Sequence, residues 1–373
     1  MSRLFEKTVI NGMELPNRFV RSATWEGLAS PEGEATPVLV ERMAALAGGG
    51  VGLIISSHAY VSPEGQATPW QLGIYDEKHI PGLRQLATAV HDNNGKILLQ
   101  LAHAGVYAAA DLTGRPALAV SPPAGDDKKK TRVITAEEID RLVLSFARAA
   151  QRAQQAGFDG VQLHSGHGYL LSQFLSPAHN RRQDEYGGPL ENRARIHLRI
   201  IAAVRAAVGA DYPLLIKMNG EDFIDNGLTG EDALRAAQLF AEAGLDAIEV
   251  SGGTITAGKL SPSRPAINTP EKEAYFRKYA EKFKQKISLP LILVGGIRSL
   301  DVAEEIVAAG TADYISMSRP FIREPDLISR WQAGDRRPAA CLSDNLCFQP
   351  GFAGQGIYCV SREKQDKNTP GTA

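Results

Sequence analysis

The chain has 373 residues, 43% hydrophobic and 22% charged, enough apolar material for a substantial core. Its formal net charge of −1 excludes a general binder of polyanions, so neither nucleic acid nor an anionic membrane is expected as a partner. No window approaches the ~18 apolar residues of a membrane span, the N-terminus has no apolar export stretch, and all three cysteines lie beyond residue 340, so a reduced, cytoplasmic protein without a disulfide framework is expected.

Short β-rich runs alternate with helical patterns along the chain. The first strand is expected at 19–23 (FVRSA), with a helix over 36–46. A strand at 51–56 (VGLIIS) precedes a helix over 80–93, and one at 96–101 (KILLQL) precedes a long loop and a helix over 136–156. That loop carries PPAGDDKKK (122–130), expected as an exposed insertion. The fourth pair is 158–163 (FDGVQL) and 191–208. PLLIKMN (213–219) leads to a helix over 229–243, where Thr229 and Asp232 resemble the start of a capping box. Three more pairs follow: 246–252 (DAIEVSG) with 271–286, 290–296 (PLILVGG) with 300–309, and 313–318 (DYISMS) with a short helix near 326–331. The polar residues 363–373 read as a frayed tail.

Eight such units, with strands apolar enough to be buried on both faces, predict a parallel sheet closed into a single-domain (β/α)8 barrel. Helices stop at glycine before the next strand, at Gly157, Gly209, Gly244 and Gly310. Residues 1–340 are assigned to the barrel and 341–373 to a C-terminal extension.

Active sites of such barrels form at the C-terminal ends of the strands. There the sequence places Gln100, the pair His164 and His167 directly after the fourth strand, Lys217, Gly295, Gly296, Ser318 and Arg319. Glycine N–H groups with an arginine nearby suit a phosphate, although glycines here also serve simply as tight turns. Lys217 interrupts an apolar run, which requires an anion: an interior ion pair with Glu221 or Glu249, or a cofactor. Two imidazoles three residues apart can both donate to one substrate oxygen, and Tyr169 stands two residues on, placed to deliver a proton. Metal ligation by the pair would need a carboxylate or thiolate partner, and none is evident at a matching strand end. The charged run NRRQDEYGGPLENRAR (180–195) reads as an internally paired loop that supports the site, with Arg181, Arg182, Asp184, Glu185 and Arg193 at hand as partners.

NRFVRSAT (17–24), LLQLAHAG (98–105), HSGHGYLLSQFLSP (164–177), the DEYGG and ENR segments, VSGG (250–253), VGGI (294–297) and SRP (318–320) together resemble the old yellow enzyme family of flavin-dependent oxidoreductases, in order and over nearly the whole chain. The resemblance implies non-covalent FMN at the strand ends, NADPH or NADH as reductant, and reduction of the activated C=C bond of α,β-unsaturated carbonyl or similar electrophiles. It makes His164 and His167 the substrate-oxygen pair, Tyr169 the proton donor, and Gln100 a partner of the flavin pyrimidine. Ala23 and Thr24 would lie against the flavin ring with His58 nearby. Gly295, Gly296, Ser318 and Arg319 would hold its phosphate. Lys217 stands where many members carry arginine, keeping the charge but losing the planar fork. Trp25 follows Thr24 where it would narrow the substrate pocket. The same barrel in other members oxidises amines or cyclic alcohols, which is the alternative activity. CLSDNLCFQPGFAGQGIYC (341–359) resembles the iron–sulfur segment of the larger dienoyl-CoA reductase and trimethylamine dehydrogenase relatives, but Asp344 takes the place of one of four cysteines beside Cys341, Cys347 and Cys359. No 4Fe-4S cluster, no metal and no internal electron relay are therefore expected; the oligomeric state, including a homo-oligomer, is left open.

Overall fold

The computed structural model describes residues 2–122 and 130–368, so the insertion expected at 122–130 falls almost wholly outside the described residues. Eight strands form a closed parallel barrel: β1 (Phe19–Arg21), β2 (Leu53–Tyr60), β3 (Lys96–Ala102), β4 (Gly160–Ser165), β5 (Leu214–Asn219), β6 (Ala247–Ser251), β7 (Leu291–Val294) and β8 (Tyr314–Met317). Each strand pairs with its successor, and β8 returns to β1 with Ser316 opposite Val20. The longer helices between them are α1 (Pro37–Gly48), α2 (Ile80–His91), α3 (Ala136–Gln155), α4 (Leu190–Val208), α5 (Gly230–Glu242), α6 (Arg277–Lys284) and α7 (Leu300–Ala308), with short helices at Ala110–Thr113 and Leu170–Leu175. Two short helices, Arg319–Arg323 and Leu327–Gln332, follow β8. The architecture is the expected (β/α)8 barrel.

Local chemistry sets the boundaries. Thr36, Thr135 and Thr229 each turn a side-chain oxygen onto a backbone N–H at the start of α1, α3 and α5. Thr135 with Glu138 completes a reciprocal capping box, whereas at Thr229 the bond from the Asp232 N–H is present without that reciprocity. Gly157, Gly209, Gly244 and Gly310 all adopt positive φ just past a helix, which an L side chain resists. The helix expected over 271–286 begins only at Arg277, because Pro270–Lys272 forms a 3-10 turn and Ala274 takes φ 50°. Residues 360–368 are helical, where a frayed tail was expected from 363; residues 369–373 lie outside the described residues.

Two strand pairings were not expected. Thr8–Ile10 and Met13–Leu15 pair antiparallel across an Asn11-Gly12 turn with φ 41° and 74°, the left-handed pair that a tight hairpin needs. Ile10, Met13 and Leu15 pack with Val20, Leu53, Ile55, Leu98, Leu215, Ala247, Ile292 and Tyr314, so the hairpin plugs the lower mouth of the barrel. The second is a short parallel pair, Ala117–Ala119 with Thr131–Val133. Outward strand residues such as Phe19, Ile54, Leu99, Ile216 and Val250 join the larger apolar core beneath the helices.

Candidate active site

Successive residues of a strand face opposite sides, so every second residue points into the barrel. Stepping by two from the apolar plug carries Val20 to Ser22, Leu98 to Gln100, Leu215 to Lys217, Ala247 to Glu249 and Tyr314 to Ser316, with Gln162 on β4 at the same level. All six of these polar residues are buried. One step higher come Thr24, His164, Ser251 and Ser318, which line a cavity of about 440 Å³ at the C-terminal mouth. Strand β2 needs a correction to obey the same rule. Its register against β3 shifts between Ile55 and His58, and this bulge turns His58 inward, opposite Gln100.

The floor of the cavity is one hydrogen-bonded network. The Lys217 ammonium donates to Ser22 Oγ at 2.7 Å and sits 3.3 Å from Glu249 Oε1. Ser22 Oγ and Ser316 Oγ donate to that same carboxylate oxygen at 2.7 and 2.9 Å, and Gln162 Nε2 donates to the other at 2.9 Å. Gln162 Oε1 in turn accepts from Gln100 Nε2 at 2.7 Å. Glu249 is thus the ion-pair partner of Lys217; Glu221 is engaged by the Tyr279 hydroxyl instead. Lys217 also lines the cavity, so the interior pair and a role toward a bound group coexist.

Four rings gather on one side. His164 lies 5.2 Å from His167, 4.8 Å from Tyr169 and 6.3 Å from His58, centroid to centroid. His164 belongs to β4, which runs through Ser165, rather than following the strand as expected; the strand continues because its pairing with β5 extends to Ser165 and Met218. His167 adopts φ 63°, held there by its N–H donated to Asn219 Oδ1 and its C=O accepting from Ile255. Its Nε2 is 2.8 Å from Ser251 Oγ, and the Tyr169 hydroxyl is 3.3 Å from His58 Nε2. Burial depresses the proton affinity of all three imidazoles, aided by neighbouring histidines and Lys217 at His164, by Lys217 and His58 at His167, and by Lys217 at His58, which falls to about 4. Burial, with Tyr107 close by, moves Tyr169 the opposite way. At neutral pH the cluster therefore consists of neutral imidazoles and a protonated phenol, donors without net charge. His164 Nδ1 is buried with no partner among the described residues.

The opposite end is cationic. Gly296, Ser318 and Arg319 line the cavity there, with Thr24 Oγ1 2.7 Å from Ser318 Oγ. Gly295 is not among the lining residues, in contrast to its neighbour: the chain turns at φ 142° there and only Gly296 faces the space. An added Cβ at Gly296 would come within 2.6 Å of Tyr275, so its backbone approaches that ring as only glycine can. Arg319 donates to the carbonyl of Arg264 at 2.9 Å and to Asn345 Oδ1 at 2.7 Å. Asn345 also donates to the Ser263 carbonyl, which fastens residues 341–357 over the barrel mouth. Ser343, Asn345 and Phe348 consequently line the cavity, a contribution that no spacing in the sequence announces. Ala23 and Trp25 also line the wall; the Trp25 ring packs 5.1 Å from Phe352, and its Nε1 is buried with no partner among the described residues.

Cys341 and Cys347 are buried, Cys359 is half-buried, and all three are free thiols. Asp344 is occupied by the Leu346 N–H and the Ser361 hydroxyl. Among the described residues, no three His, Cys, Asp or Glu side chains are grouped to hold a metal ion. The charged run braces the site from behind. Arg182 pairs with Asp184 and donates to the carbonyls of Val120 and Ile134, while Arg193 reaches beyond the run to Asp232 at 2.7 Å. None of these side chains lines the cavity.

A flat polar ring system with an anionic tail fits this space. The floor offers an amide and an ammonium, one wall carries an imidazole nitrogen with no partner among the described residues, and the far end offers a guanidinium beside the Gly296 backbone. FMN has that shape and charge. A structure of an old yellow enzyme homologue from Zymomonas mobilis superposes with a TM-score of 0.78 at 27% identity, over 91% of this chain and 95% of that one. The NADPH dehydrogenase of Bacillus subtilis is 36% identical over 325 residues, covering 87% of this chain and 92% of its own. A metal reductase of Desulforamulus reducens is 39% identical over 363 residues, or 96% of this chain; this chain spans only about half (53%) of that relative's length. Residues 3–337 match the NADH:flavin oxidoreductase / NADH oxidase family, and with these relatives they make the chain a member of it.

Proposed function

We propose that the chain is an FMN-dependent reductase that takes hydride from NADPH or NADH and reduces the activated C=C bond of α,β-unsaturated carbonyl or similar electrophiles. The observation that carries the reading is the pairing of neutral His164 and His167 beside Tyr169, across one cavity from Arg319. When bound, the flavin supplies a hydride store that links reductant to substrate.

The residues divide the remaining work. Gly296, Ser318 and Arg319 hold the phosphate, with Gly295 shaping the turn. Ala23, Thr24 and Gln100 seat the ring, and Lys217 places positive charge beneath its pyrimidine side. His58 holds the Tyr169 hydroxyl in the cavity. His164 and His167 bind the substrate oxygen through N–H donors, which draws electron density from the conjugated double bond. Ser251 holds the orientation of the His167 ring through Nε2. Tyr169 keeps its proton on Oη until the α-carbon takes it. Trp25 bounds the substrate end of the wall. Small electrophiles are the partners of such a site; the near-neutral charge supports neither a nucleic-acid nor a membrane partner and accords with a cytoplasmic setting. No helix among the described residues is long and apolar enough to cross a membrane.

The test is an anaerobic absorption spectrum before and after NADPH and then cyclohexenone. Bleaching by NADPH and return with the enone is the expected result. No flavin even after reconstitution with FMN overturns the reading, and bleaching without return overturns its second half.

A further inference from the structure

Glu249 is wholly buried, and its two oxygens are met by Gln162, Lys217 and Ser316 from three strands and by Ser22 just past β1. A buried carboxylate held this way is costly to retain if its only task is packing, since an apolar residue of similar volume fills a barrel layer without desolvating a charge. Its placement suggests another task. It stands opposite Lys217 in the β5–β6 register, directly below the cavity, and through Gln162 it fixes which way the Gln100 amide points. Gln162 Nε2 is committed to Glu249, so its Oε1 faces Gln100 and accepts the Nε2 hydrogen of that residue. That leaves the Gln100 carbonyl oxygen and the second Nε2 hydrogen for the ligand side.

We propose that Glu249 is a positioning residue of the flavin site: it offsets the Lys217 charge and orients Gln100, and so sets the reduction potential of the bound flavin below the value Lys217 alone would give. The inference rests on the FMN reading above. Its physical basis is simple. Reduction adds negative charge to the pyrimidine end of a flavin, a cation beneath that end favours the reduced form, and a carboxylate 3.3 Å behind the cation opposes it. Serine hydroxyls on the same oxygen hold the carboxylate in place.

The experiment is the midpoint potential of FMN-loaded protein, measured by equilibration with a reference dye, for wild type, Glu249→Gln and Glu249→Asp. Glu249→Gln keeps the shape and removes the charge. We expect its reduced flavin to be favoured at least tenfold, a rise of about 30 mV for a two-electron couple, with Glu249→Asp close to wild type. A merely structural Glu249 would lower FMN affinity or melting temperature in Glu249→Gln and leave the potential where it was; that result overturns the proposal. If Glu249→Gln does not fold, the same question is put to Lys217→Met against the double variant Lys217→Met/Glu249→Gln. The proposal requires the double variant to have the higher potential, and equal values overturn it. Wild-type protein that takes up no FMN overturns the flavin reading and this inference together, whereas a flavin-loaded Glu249→Gln at wild-type potential overturns the inference alone.

Discussion

The Tyr169 hydroxyl stands 3.3 Å from His58 Nε2, and the two residues are 111 positions apart in the chain. The contact exists because a bulge in β2 turns His58 into the barrel just where the loop after β4 brings Tyr169 over the mouth. The contact holds the Tyr169 hydroxyl over the cavity, and burial, with Tyr107 close by, keeps the phenol protonated. Tyr169→Phe is expected to slow alkene reduction by ~10²–10⁴-fold, the usual worth of a placed general acid, while flavin reduction by NADPH stays within about twofold of wild type. Rapid-mixing absorbance of the two half-reactions separates them. An unchanged oxidative half-reaction with every enone tried would remove the proton-donor role.

Ser251 and Asn219 control His167 from two sides, through the imidazole and through the backbone. Ser251→Ala removes the hydroxyl that holds the His167 ring, so phenolic ligands should bind more weakly by about 1 kcal/mol, the net value of one hydrogen bond. His164→Ala removes a donor outright and should cost more, about 1–3 kcal/mol. In both variants the flavin should remain bound. Phenol titrations followed by flavin absorbance give the two values directly, and equal affinity in all three proteins would exclude the imidazole pair as the oxygen site.

Most of the barrel was legible because two periodicities coincide: buried strands of five to seven residues and helices stopped at glycine leave few other folds. The residues above the strands were legible for the same reason, since barrel chemistry gathers at strand ends. Less was read from inside the strands. Glu249 is legible as one of two candidate partners for Lys217, whereas Gln162 and Ser316 sit at inward positions that only counting by two along polar-interrupted runs reaches. Lys217 was noticed only because lysine is so costly there. The β2 bulge that aims His58 leaves no mark in composition, and the same holds for the Asn345–Arg319 contact, which joins residues 26 positions apart through a loop of irregular backbone. The Asn11-Gly12 hairpin was a readable signal that was passed over.

Arg319 serves the cavity and the C-terminal segment at once, because one guanidinium nitrogen holds Asn345 while the group lines the anion end. Arg319→Ala is expected to lose about 1.5–3 kcal/mol of FMN binding, roughly ten- to hundredfold in Kd. It should also loosen residues 341–357, exposing a protease-sensitive site near Asn345 that wild type resists. Asn345→Ala should reproduce the proteolysis with the smaller affinity loss. Fluorescence titration of apoprotein with FMN and limited proteolysis read the two effects separately. If Arg319→Ala binds FMN as wild type does, the phosphate is held elsewhere.

Stability should fall on mild acidification, and the sign follows from the buried imidazoles. His58 and His103 are both depressed to about 4, by burial first; at His103 the nearby Glu64 opposes the shift, and Nδ1 accepts the Gly105 N–H, a bond that protonation destroys. In the unfolded chain each takes up a proton near 6.5, so between about 6.5 and 4 the unfolded state binds more protons than the native one. Their contribution is complete above about pH 6.5 and is lost progressively as the pH falls toward 4. The limiting slope is about 1.4 kcal/mol per pH unit for each group, before discounting for residual structure in the unfolded chain. Urea midpoints at about pH 7 and pH 5 test this: wild type should drop clearly, and His103→Gln, less stable at pH 7, should drop less between the two. A midpoint that holds steady, or the same drop in the variant, would mean that His103 is not titrating differently in the folded and unfolded states.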